Sequence, residues 1–87
     1  MNAIELILGH KPEGFNVIKN RFGARYHWKT FEEFSECMEE IDDDVTLFYG
    51  MTLDEVTHDD IRMAEIVVVH NNLVYLSRPK RKHELEE

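Results

Sequence analysis

Residues 30–41 read Thr30-Phe31-Glu32-Glu33-Phe34-Ser35-Glu36-Cys37-Met38-Glu39-Glu40-Ile41, and this stretch decides the fold. Thr30 with Glu33 three residues on has the form of a capping box, the signature of a helix start. At 100° per residue, with Phe31 at zero, Phe34, Cys37, Met38 and Ile41 fall within roughly 240–360°. By the same rule Glu32, Glu33, Glu36, Glu39 and Glu40 fall within roughly 80–200°. One side is apolar and the other carboxylate, so the pattern predicts an amphipathic helix that needs a partner layer. Asp42, Asp43 and Asp44 end it, being poor helix formers set against the negative end of the helix dipole.

Downstream, residues 45–49 are β-prone and bounded by those aspartates and Gly50. Thr52 or Thr57 caps a short helix running through His58 to Ala64, each having an acid three residues later. Two apolar runs, 66–69 and 73–76, flank His70-Asn71-Asn72, and asparagine tolerates the backbone that tight hairpins need, so a β-hairpin is predicted. Arg78-Pro79 closes it. Upstream, the aromatic stretch 24–28 reads as a strand. Phe15, Ile18 and Phe22 recur at helical spacing and Gly23 stops them, predicting a short helix over 13–22. A strand over 15–19 is the alternative, since Phe15, Val17 and Lys19 fit a period of two. Asn2 with Glu5 caps a first short helix that Gly9 closes. The resulting expectation is α+β: an antiparallel sheet of three or four strands, covered on one face by the 30–41 helix, with short N-terminal helices. Residues 1–77 form the single domain and 78–87 a charged, frayed tail.

The chain of 87 residues is 43% hydrophobic, with five Phe, three Tyr and one Trp, enough for one modest core. Cys37 is its only cysteine, which excludes an intramolecular disulfide and points to a cytoplasmic protein. The apolar N-terminal stretch (Ile4, Leu6, Ile7, Leu8) has no basic lead-in and is too short to span a bilayer, so no membrane partner is expected. The net charge of −8 is unevenly placed: residues 1–29 carry +3, residues 30–65 carry −12 and residues 66–87 carry +1.

Along the 30–41 helix, Glu32–Glu36 and Glu36–Glu40 repel at i,i+4, and Glu33–Glu36 and Glu36–Glu39 at i,i+3. Each pair costs about 0.2–0.5 kcal/mol, which helix formation does not require. The bland explanation is a solvated face that keeps the protein soluble. The functional one is a docking surface for a basic protein, built from Glu32, Glu36, Glu39, Glu40, Asp43, Asp44 and Asp59. Asp42, Asp54, Glu55 and Asp60 lie in adjoining segments and widen it. Carboxylates about 6 Å apart along a helix approximate phosphates along a nucleic-acid strand. A DNA mimic of this kind would occupy the phosphate-binding groove of a nuclease, repressor or nucleoid protein. In size and charge the chain resembles the small acidic inhibitors encoded by phages and mobile elements.

The rival is a nucleic-acid-binding surface. Lys19, Arg21, Arg25 and Lys29 interleave with Phe22, Tyr26, His27 and Trp28, and Arg78, Lys80, Arg81 and Lys82 form a second basic cluster. The overall charge opposes it, and the basic and acidic poles pairing across a homodimer is a further alternative. For a metal, no two of His10, His27, His58, His70 and His83 stand at i,i+3 or i,i+4, and no Cys-x-x-Cys accompanies Cys37; neither metal nor cofactor is expected. The His58-Asp59 dipeptide also occurs in metal phosphohydrolases, but this chain is too short for their helical core. Ser35 lacks a base nearby in sequence, Cys37 reads as a core thiol, and Gly9, Gly14, Gly23 and Gly50 are isolated, so no phosphate loop exists. The expectation is therefore a non-enzymatic protein. The enzyme to test against it is a small ribonuclease using His27 or His70 with Arg25.

Overall fold

A computed structural model describes residues 1–21, 25–41 and 46–79. Their elements run α1 (Ala3–Leu8), β1 (Phe15–Asn20), α2 (Phe31–Ile41), β2 (Thr46–Thr52), α3 (His58–Met63), β3 (Ile66–His70) and β4 (Leu73–Pro79). The four strands make one sheet in the order β1-β3-β4-β2, antiparallel throughout. With α2 as the one longer helix, this is the small α+β arrangement that the sequence pattern predicts.

The centre of the sheet is the hairpin of β3 and β4. His70 and Leu73 are its last pair, which leaves Asn71-Asn72 as a two-residue loop. Asn71 takes a φ of 57°, the left-handed region that asparagine enters more readily than most side chains. Both flanking segments hold this loop: the Asn71 N–H donates to Gly14 O at 3.2 Å and the Leu53 N–H to Asn72 O at 3.1 Å.

In β3, Ile66, Val67, Val68 and Val69 are all fully buried. Alternate strand residues point to opposite faces, so a continuous apolar run requires cover on both sides. Ile66 and Val68 pack with Tyr26, Trp28, Phe34 and Ile41 under α2. Val67 and Val69 pack with Ile4 of α1, Ile61 of α3, and Leu53 and Val56 of the turn between β2 and α3. The 30–41 helix covers one face, as the sequence pattern predicts, and the short α1 and α3 cover the second, each contributing a buried isoleucine. Thr57, not Thr52, caps α3, in a capping box with Asp60. The Thr52 hydroxyl instead donates to Glu55 Oε1 at 2.8 Å.

Two expectations are corrected. The helix over 13–22 is instead β1, the alternative reading. Phe15 belongs to the α2-side core and Ile18 to the other core. Three residues apart, they lie on opposite strand faces, and cover on both faces turns a helix-like spacing into a strand. A bulge between Val17 and Lys19 adds to the ambiguity, since it leaves Ile18 outside the regular register with β3. The expected strand over 24–28 is irregular backbone across Arg25–Trp28, while Ala24 lies outside the described residues. Tyr26 and Trp28 are buried and stacked, with ring centroids 5.3 Å apart, while His27 is exposed. That alternation comes from packing under α2, not from a ladder.

Candidate functional site

The helix α2 starts with Thr30 and Glu33. The Glu33 N–H donates to Thr30 Oγ1 at 3.3 Å, and the Glu33 carboxylate accepts from the Lys29 N–H at 2.7 Å. Glu33 is thus spent on the helix start. Phe34, with no exposed surface, anchors the other side. Its ring centroid lies 5.0 Å from Trp28, 5.4 Å from Phe48, 5.5 Å from Tyr75 and 6.0 Å from both Phe15 and Phe31. Edge-on and tilted aromatic pairs of this kind add about 0.5–1.5 kcal/mol each beyond area burial. They fix the rotation of α2 on the sheet.

With that rotation fixed, Glu32, Glu36, Glu39 and Glu40 are all exposed. None of them makes an ion pair with a described residue; Arg62–Asp59, at 3.1 Å, is the ion pair found there. Glu32, Glu36 and Glu40 succeed one another every four residues, about 6 Å along the axis. At that separation in water, two unit charges repel by about 0.7 kcal/mol before salt screening. The arrangement is a row of carboxylates on an anchored helix, with no internal counter-ion among the described residues, able to accept several cationic groups at once.

Two members of the expected face, Asp43 and Asp44, lie outside the described residues, as does Asp42. Asp59 does not join the row. It stands on α3, across the sheet from α2, and is paired with Arg62. Asp60 caps α3, and Asp54 lies beside the turn on that same side. The acidic central segment is therefore divided between the two faces of the sheet. An open pocket of about 470 Å³, lined in part by Asn2, Glu5, Lys11, Thr52, Asp54 and Asn72, borders the turn and does not include the α2 carboxylates. No protein-family model, curated protein or solved structure matches this chain. Its own geometry carries the reading.

The basic candidates are dispersed, and some serve the fold. Lys19 Nζ donates to Ile61 O at 3.1 Å and to Arg62 O at 2.9 Å, closing the C-terminal end of α3. Burial, then the nearby Arg21 charge, lowers the Lys19 pKa, with Glu65 opposing. Arg78 lies over the Tyr49 ring at 5.8 Å and donates to Pro79 O at 3.1 Å. Arg25 lies over Tyr26 at 5.3 Å, and Arg21 and Lys29 are exposed. Lys80, Arg81 and Lys82 lie outside the described residues. Tyr26 and Trp28 are core side chains, so the aromatic platform a single strand would stack on is not displayed by them.

The two histidines of the ribonuclease alternative, His27 and His70, do not converge. His70 stacks on Phe31 with centroids 3.9 Å apart, next to the Phe15 end of β1. His27 follows Tyr26, whose carbonyl accepts from Asn20 Nδ2 at the other end of β1. Those two strand ends are about 17 Å apart. Among the described residues no three of His, Cys, Asp and Glu cluster as a metal site, and no helix is long and apolar enough to cross a membrane.

Proposed function

We propose that this chain is a non-enzymatic acidic binding protein that presents Glu32, Glu36, Glu39 and Glu40 to a basic surface on another protein and so blocks or modulates it. The observation that supports the reading is the combination on α2 of an aromatic anchor around Phe34 and an opposite face of exposed carboxylates that make no ion pair with a described residue. A solubilising charge has no need of a fixed position, whereas a docking row gains from one, because preorganised groups lose less freedom on binding. Asp43 and Asp44, outside the described residues, stay candidate partner-binding residues in this proposal, while Asp59 is left out of it by its place on α3. The fitting partner is a nucleic-acid-binding protein whose phosphate site the row occupies, in the cytoplasm, where the lone Cys37 stays reduced. Association would be fast and salt-sensitive.

The test is affinity capture from native lysate at low and high salt, alongside the double variant Glu36→Lys/Glu40→Lys with its circular dichroism checked. The reading expects a basic nucleic-acid-binding protein that salt releases, duplex DNA competes away and the variant fails to hold. Binding that survives the charge reversal, or recovery of RNA or DNA in place of a protein, overturns it and brings forward the Arg21, Arg25 and Lys29 surface.

A further inference from the structure

The start of α1, the turn after β2 and the loop of the central hairpin meet around the open pocket of about 470 Å³. That volume falls in the range of about 300–1,000 Å³ usual for small-molecule sites. Its walls are tied to one another. The Leu53 N–H donates to Asn72 O at 3.1 Å and the Asn71 N–H to Gly14 O at 3.2 Å, which joins the hairpin loop to both neighbouring segments. Asn2 Oδ1 accepts from the Glu5 N–H at 2.8 Å, so the cap of α1 is spent on its own helix and Asn2 serves as wall. Leu53 and Leu73 supply the apolar lining, and Leu73 is among the large apolar side chains left exposed.

Three charged side chains line this space: Glu5, Asp54 and Lys11. Opposite charges around one cavity could pair with each other, yet no ion pair joins Lys11 to either acid; the pair found among the described residues is Arg62–Asp59 on α3. Glu5 Oε1 accepts a long bond of 3.4 Å from the neutral Asn2 Nδ2, which leaves its charge uncompensated. The pocket thus holds two carboxylates and one ammonium apart, where a single bound molecule can meet all three.

We infer that this pocket binds a free basic amino acid of the lysine or ornithine class, with its two ammonium groups at Glu5 and Asp54, its carboxylate at Lys11 and its methylenes against Leu53 and Leu73. The charge count carries the choice. Two carboxylates and one ammonium are complemented by two ammonium groups and one carboxylate on one small molecule. A phosphate or nucleotide would face two carboxylates. A metal ion would meet the Lys11 ammonium, a diamine would leave Lys11 without an anion, and a neutral amino acid would leave one carboxylate without a cation. Walls already tied together reduce the ordering cost of binding. Lys11 and Asp54 are exposed, so their pairs are screened and the affinity is about millimolar. The inference is independent of the basic-partner reading, because α1 and α2 cover opposite faces of the sheet.

The test is titration of the nitrogen-15-labelled full chain with L-lysine to about 20 mM, at constant pH and ionic strength, followed by amide chemical shifts. Cadaverine, which lacks the carboxylate, and norleucine, which lacks the side-chain ammonium, are titrated in parallel. The expected result is a saturable shift confined to residues around 5, 11, 52–54 and 72–73, with each analogue weaker by about threefold or more, the share of one exposed ion pair. Asp54→Asn and Lys11→Gln should each weaken lysine binding by the same factor with unchanged circular dichroism, since both residues are exposed and pack in neither core. Glu36→Gln, on the other face, should leave it unchanged. No saturable shift, shifts centred on α2, a Glu36→Gln effect as large as that of Asp54→Asn, or a smaller loss in either analogue or either pocket variant overturns the proposal.

Discussion

Glu36→Gln should make this protein more stable at low salt. Glu36 is exposed, makes no ion pair with a described residue and stands at the centre of the row, with Glu32 and Glu40 four residues away and Glu33 and Glu39 three away. Each like-charge neighbour costs about 0.2–0.5 kcal/mol, so removing four gives about 0.8–2 kcal/mol; Gln has nearly the helix propensity of Glu and sets little against it. For a domain of this size, 1 kcal/mol moves Tm by about 4–8 °C. Thermal unfolding followed by circular dichroism at about 10 mM ionic strength should therefore show Tm rising by about 3 °C or more, and most of that gain should vanish at 1 M, where the Debye length is about 3 Å. A Tm unchanged or lowered at low ionic strength would show that the row carries no strain. A gain that persists at 1 M salt would place its cause elsewhere. The same variant should bind a basic partner less tightly, because the charge that strains the helix is the charge offered for docking.

Trp28 is buried and its Nε1–H has no hydrogen-bond partner among the described residues. Relief of that orphaned donor, worth about 1–3 kcal/mol, should offset the lost volume in Trp28→Phe and leave stability within about 1 kcal/mol; Trp28→Ala should lose about 3–5 kcal/mol in urea unfolding followed by circular dichroism. Burial, then Asp60, raises the Tyr49 pKa above the usual 10.0, against Arg78. Between those values the folded state holds a proton that the unfolded state has released, so stability is kept below pH 10 and falls as pH rises from there through the folded value. Tyr49→Phe should flatten that alkaline decline, and the 295 nm difference between the two proteins should titrate above pH 10.

The elements that local chemistry defines were legible in the sequence. Thr30 with Glu33, Thr57 with Asp60, Asn2 with Glu5 and the Asn71-Asn72 loop each set an element boundary through contacts within a few residues. Segments whose state depends on distant partners were not. Phe15, Ile18 and Phe22 fit a helix until β3 pairs with 15–20, and Tyr26 and Trp28 alternate like a strand although no described strand pairs with them. The unbroken apolar run of residues 66–69 was the available signal for a doubly covered sheet, because a half-covered strand would alternate with polar residues.

The same division separates the legible from the hidden parts of the site. The α2 row could be read from helical angles alone, since the five glutamates and Phe34 share one rigid element. Whether Asp59 joins them is a different kind of question, for it depends on which face of the sheet α3 covers. That choice is made by pairings such as Asn20 with Ile66 and by Lys19 closing α3 from the far edge. A run of charge in sequence is thus not a patch of charge in space. Residues 30–65 carry −12, yet an apolar layer lies between α2 and α3, and each side must be weighed with its own neighbours. On the α3 side Arg62 meets Asp59 and Asp60 serves its cap. On the α2 side, among the described residues, Glu33 alone is engaged, leaving four carboxylates whose mutual repulsion a basic surface would relieve. The case for docking therefore rests on this difference between the two faces and not on the total charge.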